Sequence, residues 1–298
     1  MKDKDFLMRS LMFVPGHNEK LLRSAARSEA DVLLLDLEDS VQPPENKKKA
    51  RGMIKEFVQN GVFEGFHVFP RVNDRESGHL LRDVYELTIT GVDGFMYPKS
   101  KKGEDVYFFE KLLETIEYEK GLPIGTFHII PLIETTGAVM NAQEICSASK
   151  RVRAIAFGCE DFVADLGGVH DIEGSSIYTA RALIAMAARE NDVIPVDTVH
   201  IRVHDLKDLE RNLEIAKKLG FEGMLVLHPK ELPLVHQYFS PSEKEVQEAR
   251  EISDLYDEFH RKGKGVAVKD RKFIGPPIVL GAQKLIKKHE RIKNKDHK

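Results

Sequence analysis

The chain has 298 residues, 42% apolar and 31% charged, with a formal net charge of −3. That length holds either two ordinary domains or one α/β barrel, and the near-neutral balance gives no reason to expect nucleic acid or a membrane surface as partner. Cys146 and Cys159 form no CxxC pair and read as reduced thiols, no apolar run nears the roughly 20 residues of a membrane span, and the charged start MKDKDFLMRS lacks a signal-peptide core, so a cytoplasmic location is expected.

The predicted elements alternate regularly. Residues 9–16, RSLMFVPG, read as an apolar strand, and Asn18 stands at the N-cap of a helix through Leu21, Leu22, Ala25 and Ala26. Residues 31–39 carry the consecutive aliphatics of a strand buried on both faces, as in a parallel sheet, and end in Asp36, Glu38 and Asp39. A polar helix runs from Pro43-Pro44 to about Gly61. Residues 66–73 make a third strand ending in Arg71-Val-Asn73, followed by a helix through Leu80, Leu81, Val84 and Leu87. Residues 94–99 make the fourth, ending in Pro98-Lys99, and precede a helix over 104–120. In the fifth, residues 129–133 run into Glu134; in the sixth, 155–157 lead through Gly158 to Glu160 and Asp161. An alanine-rich helix at 175–190, a strand at 199–203, a helix at 206–219 and a strand at 223–227 complete the series.

Eight strands, each followed by helix-forming sequence, predict a closed (β/α)8 TIM barrel over residues 1–239. An open doubly wound sheet would offer a glycine-rich turn after its first strand, and here that turn is PGHNEK rather than GxGxxG. Residues 240–298 form a C-terminal helical appendage, expected to cap the barrel mouth or a neighbouring subunit. It opens on a capped helix at SPSEKE, and its last ten residues read as frayed.

Chemistry in such a barrel sits at the carboxyl ends of the strands. The polar residues there are Asp36, Glu38, Asp39, Arg71, Asn73, Lys99, Glu134, Asp161 and His228, with Arg9 at the start of the first strand. Taken singly, each has an ordinary structural role, an acid as helix cap or ion-pair partner and a His before Pro as a hydrogen bonder. Together, acids at three strand ends and Arg71 and Lys99 at two others make a charge-balanced mouth that stability alone does not require. A βαβ unit brings Glu134 and Asp161 to one edge, which suits a hard divalent cation such as Mg²⁺ that takes oxygen ligands and keeps waters for substrate. Arg71 suits an anionic substrate, and Lys99 among acids reads as a charged partner rather than a Schiff-base lysine.

The segments RSLMFVPG (9–16), LLLDLEDSV (33–41), RVN (71–73), YPK (97–99), PLIET (131–135), AFGCEDFVADLG (156–167), LHP (227–229) and SPSEKEVQEAR (240–250) resemble the citrate lyase β-subunit family. That family sits with malyl-CoA and citramalyl-CoA lyases inside the phosphoenolpyruvate/pyruvate-binding barrel superfamily. The resemblance implies Mg²⁺ on Glu134 and Asp161, and Arg71 on the carboxylate of a 2-oxo acid, with Glu134 and Lys99 also at the substrate. It places Asp36 and Asp39 beside the metal site, Asp36 in a catalytic set with Arg71 and Glu134, and Arg9 near the pantetheine or phosphate end, with Lys20 a second candidate there. It further implies a thioester partner, on coenzyme A or an acyl carrier protein, and a homotrimer or hexamer. The implied reaction is retro-Claisen cleavage of a hydroxyacyl thioester such as citryl-CoA, giving oxaloacetate or glyoxylate and an acetyl thioester. Mg²⁺ acts as Lewis acid and Arg71 as a bidentate clamp.

The chain departs from that family in two places. Where the lyases carry GKMVDxP, whose aspartate reaches the next subunit's site as acid/base group, this sequence reads Arg271-Lys-Phe-Ile-Gly-Pro-Pro277, with Gly275 in the aspartate's place and Asp270 nearby. Met224 stands where a lysine is usual. Two alternatives therefore stay open: a Mg²⁺-dependent aldolase on a small 2-oxo acid without thioester, and an oxo-acid-binding accessory subunit with little turnover.

Overall fold

The computed structural model describes residues 6–261, 267–269 and 272–296. The first apolar run becomes β1 (Ser10–Pro15), and α1 (Glu19–Ala25) starts after Asn18, whose side chain accepts the Leu21 N–H at 3.2 Å. β2 (Val32–Asp36), α2 (Asn46–Gln59), β3 (His67–Val68), α3 (Leu80–Leu87), β4 (Gly94–Tyr97) and α4 (Gly103–Glu119) continue the alternation. β5 (His128–Ile133) is followed by two short helices, α5 (Thr136–Met140) and α6 (Ala142–Ser147). Then come β6 (Ala154–Phe157), α7 (Cys159–Leu166), α8 (Ser175–Glu190), β7 (Ile194–Asp197), α9 (Leu206–Leu219) and β8 (Gly223–Val226).

The eight strands pair in parallel in the order β3-β2-β1-β8-β7-β6-β5-β4. The ring closes between β3 and β4, where Arg71 bridges Met96 and the Met96 N–H donates to the Pro70 carbonyl at 2.9 Å. Pro70 also explains why β3 is shorter than the run 66–73, since it has no N–H to give the ladder. Pairing with β2 continues past it, as Phe69 and Arg71 donate to Leu33 and Leu35 at 2.9 and 3.0 Å. Inside the ring Leu34, Phe69, Met96, Ile130, Val196 and Leu225 belong to one buried cluster, and Phe6 packs edge-on against His67, Phe69 and His128. The barrel is a packed core rather than a pore, so a ligand must bind at its rim.

The seventh strand lies at Ile194–Asp197 and not at 199–203. Val199, Ile201 and Val203 imitate a half-exposed strand, yet Ile201 is exposed whereas Val196 in the true strand is fully buried. Pro195 disguises that strand in the sequence. In the structure the ladder passes through its carbonyl, which accepts the Glu222 N–H at 3.0 Å.

The chain divides into two compact units, Met1–Val235 and His236–Lys298, with α10 (Leu232–Phe239) spanning the division. In the second unit α11 (Glu243–Arg261) begins in a capping box: the Ser242 N–H donates to Glu245 at 2.8 Å and the Glu245 N–H to Ser242 Oγ at 3.2 Å. An antiparallel hairpin, β9 (Ala267–Lys269) and β10 (Lys272–Ile274), leads into α12 (Pro276–Asp296). Ile274 and Val279 pack with Ile252, Leu255, Tyr256 and Phe259. α12 is helical to Asp296, and Ile292, in the stretch that reads as frayed, is buried. No helix among the described residues is long and apolar enough to cross a membrane.

Candidate active site at the barrel mouth

β2 ends in Asp36, and the closing segment after β3 supplies Arg71, so ring closure brings the two together. The Arg71 Nε and Nη2 donate to the two Asp36 oxygens at 2.7 and 2.8 Å. Asp36 also accepts the Glu38 N–H at 2.9 Å, the Ser40 N–H at 3.0 Å and the Ser40 hydroxyl. Burial opposes its charge, but the guanidinium and these hydrogen bonds more than offset that and hold its carboxyl below the ordinary value. Arg71 Nη1 reaches Asp39 at 3.1 Å and Glu38 at 3.2 Å, and the guanidinium lies over the Phe13 ring at 4.7 Å. Burial works against the Arg71 charge as well. Asp36, Glu38 and Asp39 outweigh it and raise the Arg71 pKa.

Glu38 is the strand-end acid that sequence reasoning named without giving it a role. It is 5% exposed, and neither carboxylate oxygen has a hydrogen-bond partner among the described residues. Its nearest cations are Arg71 and the Lys99 ammonium, the latter at 3.6 Å. Burial, reinforced by Asp39 and Asp36, pushes its carboxyl up to about 7 against Arg71 and Lys99.

Glu134 follows β5 directly and is 4% exposed. It accepts the Lys99 N–H, which is aimed by a left-handed backbone at Lys99, φ 51°, a conformation a non-glycine residue adopts at some cost. Burial pushes Glu134 up to about 8, with Glu38 and Asp161 adding to the shift and the Lys99 N–H and Arg71 opposing it. Asp161 is exposed, on the first turn of α7 beyond β6, and β6 pairs with β5 at Ile133 and Phe157. Gly158 lies between them: a Cβ there would stand 3.0 Å from Glu134 Cβ and 3.4 Å from its Oε2. The Lys99 ammonium sits 3.1 Å from Asp74. Burial opposes its charge, but Asp74 and Glu38 raise its pKa, so it is cationic at neutral pH.

Arg9 does not reach this mouth. It precedes β1 at the opposite end of the barrel, where its guanidinium is engaged with Asp31 at 2.9 Å and both side chains are buried. Its position at the start of a strand, in a barrel of parallel strands, is the reason. Met224, second residue of β8, pairs with Ser10 at that same end, so its departure from lysine leaves the mouth untouched. Asn73 is bound to Asp83 at 2.6 Å, and His228 Nδ1 accepts the Lys230 N–H at 3.1 Å, both structural roles. Gly275 is buried in the turn before α12, where its carbonyl accepts the Ile278 N–H at 3.0 Å. Asp270 lies outside the described residues.

The family model for HpcH/HpaI aldolase/citrate lyase matches residues 9–229, which takes in all eight barrel strands. The chain belongs to that family. Within the HpcH/HpaI aldolase/citrate lyase family it is similar to citrate lyase subunit beta of Leuconostoc mesenteroides subsp. cremoris, 31% identical over 94% of this chain and 93% of that one. It is 30% identical to the L-malyl-CoA/beta-methylmalyl-CoA lyase of Cereibacter sphaeroides, over 95% of each chain. The citrate lyase beta subunit from M. tuberculosis, solved with oxaloacetate and magnesium, superposes with a TM-score of 0.65 at 25% identity, over 79% of this chain and 98% of that one. The resemblance read from the motifs is thereby borne out at family level, and so is the barrel.

Proposed function

We propose that this protein is a Mg²⁺-dependent carbon–carbon lyase that cleaves a hydroxyacyl thioester, citryl-CoA or a close relative, to oxaloacetate or glyoxylate and an acetyl thioester. The observation that carries it is the convergence of Glu134, Asp161 and the Asp36–Arg71 pair on one rim. Oxygen donors on neighbouring strand ends suit a hard cation, and Glu134, buried and raised, is a carboxyl whose ionised form Arg71 and the Lys99 N–H compensate only in part. Glu134 and Asp161 would hold Mg²⁺, which when bound supplies Lewis-acid polarisation of the substrate oxygen.

The chain's own residues do the rest. Asp36 takes the Nε–Nη2 edge of Arg71, so the two-pronged clamp expected for a substrate carboxylate is already occupied, and the substrate would meet Nη1, which here reaches exposed Asp39 and buried Glu38. The Lys99 N–H fixes the Glu134 carboxyl, and the Lys99 ammonium adds a second positive charge for an anionic substrate. With glycine at position 275, Glu38, whose oxygens accept no hydrogen bond among the described residues and whose carboxyl sits at about 7, takes the proton of the substrate hydroxyl as the carbon–carbon bond breaks and returns it to the enolate carbon, giving the acetyl thioester. The assembly is a homotrimer or hexamer, and the thioester is carried on coenzyme A or an acyl carrier protein.

The test is incubation with Mg²⁺ and citryl-CoA, malyl-CoA or citramalyl-CoA, following free acyl-CoA and oxo acid. Product from one thioester is expected, with Glu38→Gln slowed about 100-fold in kcat. Gly275 favours a second reading, an oxo-acid-binding subunit with little turnover. No product from any thioester, alongside Mg²⁺-dependent oxaloacetate binding, would establish it. Cleavage of a free hydroxy-oxo acid instead would mark an aldolase.

A further inference from the structure

We propose that Cys159, Glu160 and His170 form a second metal site, selective for a borderline transition ion such as Zn²⁺ or Co²⁺ over Mg²⁺. Cys159 and Glu160 open α7. Gly167 ends that helix in a left-handed turn, φ 68°, and the chain behind it doubles back until His170 Nδ1 lies 2.8 Å from Glu160 Oε1. Cys159 Sγ is 3.4 Å from the same oxygen, and all three ligand atoms lie within 4.8 Å of one another. Among the described residues no other three His, Cys, Asp or Glu side chains bring their donor atoms so close.

The donor set decides the ion. Sulfur, imidazole nitrogen and one carboxylate oxygen match Zn²⁺, whereas Mg²⁺ demands an octahedron of oxygens. Bonds of about 2.3 Å to sulfur and about 2.0–2.2 Å to nitrogen and oxygen place tetrahedral neighbours roughly 3.3–3.7 Å apart. The Sγ–Oε1 pair already has that spacing, and the Oε1–Nδ1 pair needs to open by less than about 1 Å. Three protein ligands leave the fourth position open for water. Cys159 is fully buried while Glu160 and His170 are partly exposed, so the ion enters from the His170 side. Binding forms the S–metal bond as the thiol proton leaves to solvent, and the neutral imidazole coordinates through Nδ1. The site draws on neither Arg71 nor Glu134 and stands whether or not the lyase reading holds.

The experiment is a Co²⁺ titration of the untagged full chain in excess Mg²⁺, read by the sulfur-to-cobalt charge-transfer band and the visible d–d bands. One Co²⁺ per chain is expected, displaced by Zn²⁺ and not by Mg²⁺. Cys159→Ser should abolish the charge-transfer band, and His170→Ala should weaken Co²⁺ at least about tenfold. Cys146→Ser should change neither. His170 is in a surface loop, so its variant tests the site even if Cys159→Ser folds poorly. Absence of the charge-transfer band in the parent chain, its survival in folded Cys159→Ser, unchanged Co²⁺ affinity in His170→Ala, or displacement by Mg²⁺ would each overturn the proposal.

Discussion

At the scale of single residues, Glu134 holds a proton at neutral pH in the metal-free protein, because burial first, then Glu38 and Asp161, push its carboxyl up to about 8. A metal held by Glu134 must expel that proton, so Mg²⁺ affinity should rise with pH and level off once the carboxyl is ionised. Calorimetry near pH 7 in buffers of different ionisation enthalpy should register proton release approaching one per Mg²⁺, and little near pH 9.5. Buffer-independent heats near pH 7 would remove Glu134 from the ligand set. Glu134→Gln should weaken Mg²⁺-linked oxaloacetate binding at least about tenfold, and an unchanged affinity would count against the assignment. The candidates Asp36, Arg71, Lys99 and Glu134 were legible because they end strand-like runs. Which atoms they share was not, since Arg71 and Asp36, like Lys99 and Glu134, are 35 residues apart.

At the scale of elements, the two ends of a strand separate packing from chemistry. Arg9 and Asp31 form a buried ion pair at the amino-terminal end, so Arg9→Gln takes the guanidinium away from a buried carboxylate and should cost about 3–5 kcal/mol of stability. Thioester KM should not change. A raised KM with an unchanged Tm would return Arg9 to the binding site. At the other end, Gly158→Ala puts a Cβ 3.0 Å from Glu134 Cβ and should lower Mg²⁺ affinity several-fold while shifting Tm only slightly. A large loss of Tm with normal Mg²⁺ affinity would make Gly158 a packing residue only. The helix bounds 175–190 and 206–219 were legible because periodicity and local signals agree. For the second, Asp205 accepts the Asp208 N–H at 3.1 Å and Gly220 takes a left-handed φ of 91°. β7 was not legible, because Pro195 breaks the local signal and only the neighbouring strands make Ile194–Asp197 extended.

For the whole molecule, the buried acids set the pH dependence of stability. Glu134 and Glu38 have folded pKa values of about 8 and 7 against an ordinary 4.5, so the folded state holds more protons than the unfolded one between those limits. Stability therefore falls as pH rises through that window. His200, buried between Asp208 at 3.0 Å and Glu231 at 3.6 Å, adds to the trend: burial opposes its charge, but the two acids raise its pKa above 6.5, and its contribution is lost as pH rises through the raised value. Asp36 acts in the opposite sense, since its stabilisation is lost as pH falls below its ordinary 3.8. Metal-free protein should be most stable near pH 5, with Tm declining toward pH 9 and saturating Mg²⁺ reducing the decline. A Tm that climbs steadily from pH 5 to 9 would contradict these assignments. The sequence by itself determined the alternation of strands and helices and the place of every barrel strand but β7, since apolar runs, caps and punctuating glycines and prolines act over a few residues. It also determined the family, since the motifs recur in order along the chain. Only the tertiary structure decided that Arg71 closes the ring onto Asp36, that Arg9 belongs to the far end, and that Glu38 is buried beside Arg71 with no hydrogen bond to its oxygens among the described residues. Those outcomes depend on where strands distant in sequence meet around the barrel, a property of the closed ring that no local pattern contains.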